Sequence, residues 1–294
     1  MSPADTLAFE ARWRTRAAVC AAASAVATLA GQAWLISITQ QSKTSELTYQ
    51  LLFFNSHRGS LLPAAILAGI GSLLLVGPLL YLFRATQARR PQLPGVAQIT
   101  AWVGPLAAGV GQIALQIVLL DKAHEFATTG AQTYAQAKHI TDEGILKVMQ
   151  GLQLAGQLSL GFAFVIISLN AMRVGLLTRF MGVLGIIVGV LFVIPLGTLQ
   201  IVQPFWLGAL VALILGRWPN GQPPAWKTGK AEPWPTQQEL REEREKAKAA
   251  QLEAQGKAPP AADEEEPEPA GATAAPAGRQ RHSSSKKRKR KRRR

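Results

Sequence analysis

Four glutamines interrupt stretches of chain that are otherwise apolar. Gln112 and Gln116 lie in the run 99–120, and Gln153 and Gln157 in the run 148–170. Side chains four residues apart share one face of a helix, so each pair makes a polar stripe. An amide has no partner in hydrocarbon, and both stripes should turn inward. Two uses follow: interhelical hydrogen bonds, each of order 0.6–2 kcal/mol, or a lining for an uncharged or zwitterionic solute. The other concentration of chemistry closes the chain. Lys286, Lys287, Arg288, Lys289, Arg290, Lys291, Arg292, Arg293 and Arg294 are nine consecutive cations. Such a run attracts anionic headgroups by about 1 kcal/mol per residue near the surface, or neutralises the phosphates of nucleic acid without sequence preference. No aromatic residue interleaves with it, so bases would find no stacking surface. The acidic block Asp263 to Glu266 and Glu268 offers an internal partner. Ser283 to Ser285 adjoin the cations, and phosphorylation there would subtract charge.

Other candidate motifs each lack something the chemistry requires. "GPLAAGVGQ" has the glycines of a phosphate loop but not its Lys and Ser/Thr. "GQLSLG" around Ser159 lacks the Gly-x-Ser-x-Gly spacing of a nucleophile elbow. "HEFAT" begins like a zinc-protease helix, yet Thr128 stands where the second histidine belongs. His124, Glu125, His139, Asp142 and Glu143 match no recurring zinc spacing and read as a solvated polar loop. No catalytic constellation and no cofactor are expected.

The elements that must carry these residues are membrane helices. Charge-free apolar segments fall near 17–38, 61–83, 99–120, 148–170, 180–197 and 199–216. Each is near the roughly 20 residues that cross a hydrocarbon core of about 30 Å. The expected fold is therefore all-α, a polytopic helical membrane bundle of six spans. No ionisable side chain lies in a span, which disfavours proton-driven transport. The net charge of +14 is unevenly divided. Arg12, Arg14 and Arg16 precede the first span, Arg84, Arg89 and Arg90 follow the second, Arg173 and Arg179 follow the fourth, and 19 basic residues follow the sixth. The remaining connections mix Lys43, Arg58, Lys122, Lys138 and Lys147 with acidic residues. Cytoplasmic loops carry the excess of Lys and Arg, so both termini are expected in the cytoplasm. The first apolar run exceeds the about 7–15 residues of a signal peptide's centre and is expected to be retained; cleavage near Ala25 to Ala27 would leave five spans and the same cytoplasmic C-terminus. Cys20 is the only cysteine.

Packing should rest on small residues: Gly182, Gly185 and Gly189 form a stripe, and Gly104, Pro105, Gly109 and Gly111 punctuate the third span. "LTYQLLFF" at 47–54 reads as an interfacial segment, and 121–147 as a polar outer cap. Pro195 and Pro204 bracket the short link between the last two spans, read as a hairpin with a re-entrant pair as the alternative. Residues 217–235 form a Pro/Trp strap, extended, with Trp218 at headgroup level. Residues 236–256 form a charged helix opened by Thr236 and Glu239. Residues 257–294 are a disordered acidic, then polybasic tail. "TRFMGVLGIIVGVLFVIPLG", "RWPNGQPPAW", "EPWP" and the Arg/Lys terminus resemble a set of uncharacterised multi-pass plasma-membrane proteins of high-GC Gram-positive bacteria over about 178–294. That resemblance implies a bacterial plasma membrane and no known activity. The expected function is a non-catalytic membrane protein presenting its tail to anionic lipid or nucleic acid, with helix–helix self-association possible. The rivals are a small-solute carrier or channel lined by the glutamines, then a membrane-embedded enzyme.

Overall fold

A computed structural model describes residues 2–42, 45–129, 131–194, 201–219, 221–234, 241 and 244–247. Its helices are α1 (Pro3–Thr39), α2 (Leu47–Ser56), α3 (Arg58–Leu74), α4 (Val76–Arg89), α5 (Gly95–Thr128), α6 (Tyr134–Thr141), α7 (Gly144–Arg173), α8 (Arg179–Val193), α9 (Val202–Ile214) and α10 (Ala225–Thr228). No strand occurs among the described residues. Met1–Thr236 and Gln237–Arg294 are two compact units. In the second, Arg241 and residues 244–247 are helical and exposed. The rest of the charged segment and the whole tail, Lys286 to Arg294 included, lie outside the described residues.

Four helices are long and apolar enough to cross a membrane: Pro3–Thr39, Arg58–Arg89, Gly95–Thr128 and Gly144–Arg173. They contain the first four expected spans. The second combines α3 and α4, joined through one tightened turn. Leu75 N–H donates to Ser72 O at 3.2 Å, one residue short of its α-helical acceptor, and Pro78 has no N–H to give Leu74. The two later apolar segments form shorter helices of 15 and 13 residues, about 22 and 20 Å long at 1.5 Å per residue. Proline ends the first of them. Ile194, with φ −116 and ψ 93, leaves the helical region ahead of Pro195, as Arg90 does at φ −136 ahead of Pro91. The link 195–200, where the hairpin was expected, lies outside the described residues.

The helices close a ring. α1 packs on α3, α3 on α5, α5 on α7, α7 on α8, α8 on α9, and α9 on α1. α4 touches α1, α5 and α7 together and fills one end. Leu75, Leu79, Leu82 and Phe83 are accordingly buried, in one cluster with Phe164, Trp206, Leu210 and Leu213. At the other end α2 and α6 lie against α5, with Leu51, Phe126 and Ile140 in a separate small core and Ile38, Phe53, Leu61 and Leu120 in another.

Glycine sets the helix spacing. A Cβ on Gly156 of α7 would collide with the backbone at Ala108 of α5, and one on Gly104 would meet the Leu160 backbone N at 2.6 Å. Gly161 and Gly189 each face the other's carbonyl, at 2.7 and 2.6 Å from the missing Cβ, where α7 meets α8. The outward faces are apolar: Val26 is 67% exposed, Ile99 62% and Phe162 59%. Water would penalise such faces, whereas lipid tails accept them. Trp13 and Trp34, both exposed on α1, stand about 31 Å apart along the helix, matching the two headgroup levels where tryptophan collects.

Substituting Leu for Gly156 forces α5 and α7 apart. Thermal unfolding in detergent should show a loss of about 1–3 kcal/mol, while Gly151→Leu, on a face with open space around it, should unfold like the parent.

Candidate functional site

The end of the bundle filled by α4 gathers Arg12, Arg14 and Arg16 of α1, Arg84, Arg89 and Arg90 after the second span, and Arg173 and Arg179 around the α7–α8 turn. The strap folds onto this same end. Arg89 is its anchor: its side chain is 0% exposed and that of Glu10, ahead of the apolar part of α1, 5%. The guanidinium binds both Glu10 oxygens, and also donates to the carbonyls of Ala85 at 2.9 Å and Ala225 at 2.6 Å. Only its Nε lacks a partner among the described residues. One arginine thus ties α1, α4 and the strap together.

Tryptophans complete the clamp. Trp226 stacks on Tyr81 with centroids 5.8 Å apart, lies 5.8 Å from the Arg89 guanidinium carbon, and donates through Nε1 to Leu176 O at 2.8 Å. Trp234 Nε1 donates to Leu177 O at 2.8 Å, and Glu232 N to Val174 O at 3.1 Å. All three acceptors belong to the α7–α8 turn. Gly175 in that turn has φ +78, and a Cβ there would strike the Glu232 carbonyl; the site therefore requires glycine twice over. Gln222 caps α9 by donating to Leu213 and Ile214 carbonyls at 3.0 and 2.9 Å. The strap is consequently a docked segment containing one helical turn, α10, rather than a wholly extended one. Trp218 is partly buried against the main core.

Beside the clamp, a half-open cleft of about 490 Å³ runs between the start of α1, the end of α4 and the start of α5. Thr6, Phe9, Arg84, Gln87, Ala88, Pro91 and Gln98 line it.

The four glutamines occupy the layer between the cores. On α5, Gln112 and Gln116 fall between Ala108 of the main core and Leu120 of the far one. Gln153 and Gln157 fall between the buried Leu146 and Leu160 on α7. α5 and α7 bring the two stripes close: a Cβ on Gly111 would sit 3.0 Å from the Gln153 backbone. All four side chains are half-buried. None has a hydrogen-bond partner among the described residues, so the expected amide bridge between the stripes is not formed there. Backbone packing at the glycines holds these helices at a distance the amides do not dictate.

The far end is differently charged. Lys122 bonds Glu125 and Glu143, each at 2.8 Å, Lys147 lies 3.2 Å from Asp142, and His124 Nδ1 lies 3.1 Å from Asn55 Oδ1. Among the described residues no three His, Cys, Asp or Glu side chains group as metal ligands. Sequence reasoning passed over Glu10 and the anchoring role of Arg89. The two lie 79 positions apart, and the only local signal was an acid placed just ahead of three arginines. No match to a protein-family model, a curated protein or a solved structure is found for this chain.

Arg89→Met leaves Glu10 buried without a countercharge, a loss of about 3–5 kcal/mol. Thermal unfolding and timed trypsin cleavage at Lys227 and Lys230 should both report it, and adding Glu10→Leu should recover a large part. In the glutamine layer, Gln112→Leu with Gln157→Leu should cost less than the ~0.6 kcal/mol that an interhelical hydrogen bond averages, because no such bond is present to lose.

Proposed function

We propose that this chain is a non-catalytic integral membrane protein whose bundle roots a cytoplasmic polybasic tail, Lys286 to Arg294, and presents it to anionic partners, phospholipid headgroups ahead of nucleic acid. The observation that carries the reading is the meeting of Glu10, Arg89 and Ala225 at one end of the bundle. The start of α1 and the strap therefore lie on the same side of any membrane the bundle crosses. Four long crossings, with α8 and α9 going out and back as a fifth and sixth, satisfy that condition. The arginine groups share this end and the mixed Lys/Glu/Asp connections take the other, the pattern that puts the arginines in the cytoplasm. A bacterial plasma membrane follows from the resemblance of residues 178–294. Tethering keeps the tail concentrated near headgroups, which favours lipid as its first partner.

The unpartnered glutamines support a second reading. Four half-buried amides at membrane depth would suit passage or binding of a small uncharged solute, and a carrier or channel is the alternative.

Held in nanodiscs of neutral phosphatidylcholine, the full chain should capture phosphatidylglycerol vesicles in a steeply salt-dependent way. Deleting residues 279–294 should abolish capture. Capture of RNA alone would reassign the tail to nucleic acid. Solute flux in reconstituted vesicles that survives the deletion but dies with Gln112→Leu and Gln157→Leu would hand the function to the glutamine layer.

A further inference from the structure

We infer that the cleft between α1, α4 and α5 is a binding site for the phosphate of an anionic phospholipid. Its lining holds one cation, Arg84, two amides, Gln87 and Gln98, one hydroxyl, Thr6, and no carboxylate. The nearest acids are already engaged. Glu10 is bound by Arg89, and Asp5 accepts from the backbone N–H and hydroxyl of Ser2 at 3.1 and 2.7 Å. Arg84 differs from Arg89 in being exposed and in having no ion pair or hydrogen bond among the described residues. An unpaired guanidinium in a concave site free of acids selects an anion, and its planar fork suits a phosphodiester's two free oxygens. Gln87 and Gln98 add amide donors for those oxygens and carbonyl acceptors for headgroup hydroxyls. Thr6 spends its hydroxyl hydrogen on Ser2 O at 3.0 Å and presents a lone pair to the same headgroup. The first turn of α5, which contributes Gln98, has no side-chain cap, and its dipole reinforces Arg84.

Position decides for lipid over a soluble phosphate. Arg84 is the residue directly after the expected span 61–83, which puts the cleft at headgroup depth. Phe9, Ala88 and Pro91 supply an apolar wall. Further along α5 the exposed Ile99, Trp102 and Val103 continue an apolar face on which an acyl chain can lie. The cleft, about 490 Å³, falls within the roughly 300–1,000 Å³ typical of small-ligand sites and holds a headgroup, leaving the chains outside in the bilayer. The inference rests on the membrane reading above but not on the tail.

The test uses the full chain reconstituted in mixed phosphatidylglycerol and phosphatidylcholine, released into detergent, with retained lipid counted by native mass spectrometry. Phosphatidylglycerol should be retained over phosphatidylcholine, equally so by a chain lacking residues 279–294. Arg84→Gln, at an exposed position, should reduce that retention about fivefold, and Gln98→Leu should reduce it in the same direction. Retention unchanged by both variants, or lost together with the tail, overturns the site. Displacement of the bound lipid by millimolar inorganic phosphate or glycerol phosphate overturns its assignment to lipid.

Discussion

Apolar side chains gain nothing by leaving lipid tails for one another, so helices in hydrocarbon hold together only where their backbones come close enough for dense van der Waals contact. In this chain that constraint is met at glycine. Gly156 against Ala108, Gly104 against Leu160, and Gly161 against Gly189 leave no room for a single extra carbon. Because α5 packs on α7 and α7 on α8 through these points, the ring's geometry follows from them. The polar residues of α5 and α7, the four glutamines, sit instead in a layer that the glycines have already spaced.

The basic end is held by a different physics. A guanidinium and a carboxylate withdrawn from water lose solvation that their mutual attraction must offset. Here the offset is aided by carbonyls of Ala85 and Ala225, which take donors Glu10 cannot use. The same contacts convert a proline-rich segment, with little helical or strand preference of its own, into an ordered strap. Three backbone acceptors in the α7–α8 turn receive two indoles and one amide. Indole suits this task, since one ring buries a large apolar area and still supplies a donor.

What the residues reveal on their own depends on the range of the interaction. Long uncharged runs gave the four long helices, because hydrocarbon tolerates little else. Proline stops two helices, at Arg90 and Ile194, through a clash between neighbouring residues. The ion pair of Glu10 with Arg89 joins positions far apart in the chain and left only a weak mark. The glutamine stripes were visible as stripes, but their partners were not: whether two amides meet depends on helix rotation and spacing, which tertiary packing fixes. The expected fifth span, 180–197, ran past the signal at Pro195, whereas the described helix stops at Val193.

Trp226 and Trp234 both hang from carbonyls of the single turn between α7 and α8, and the same strap takes a donor from Arg89, which holds Glu10 of α1. A change in the angle between α7 and α8 would therefore have to break both indole bonds or drag the start of α1 with it, so the strap works as a brace that couples the first helix to a turn more than 160 residues later in the chain.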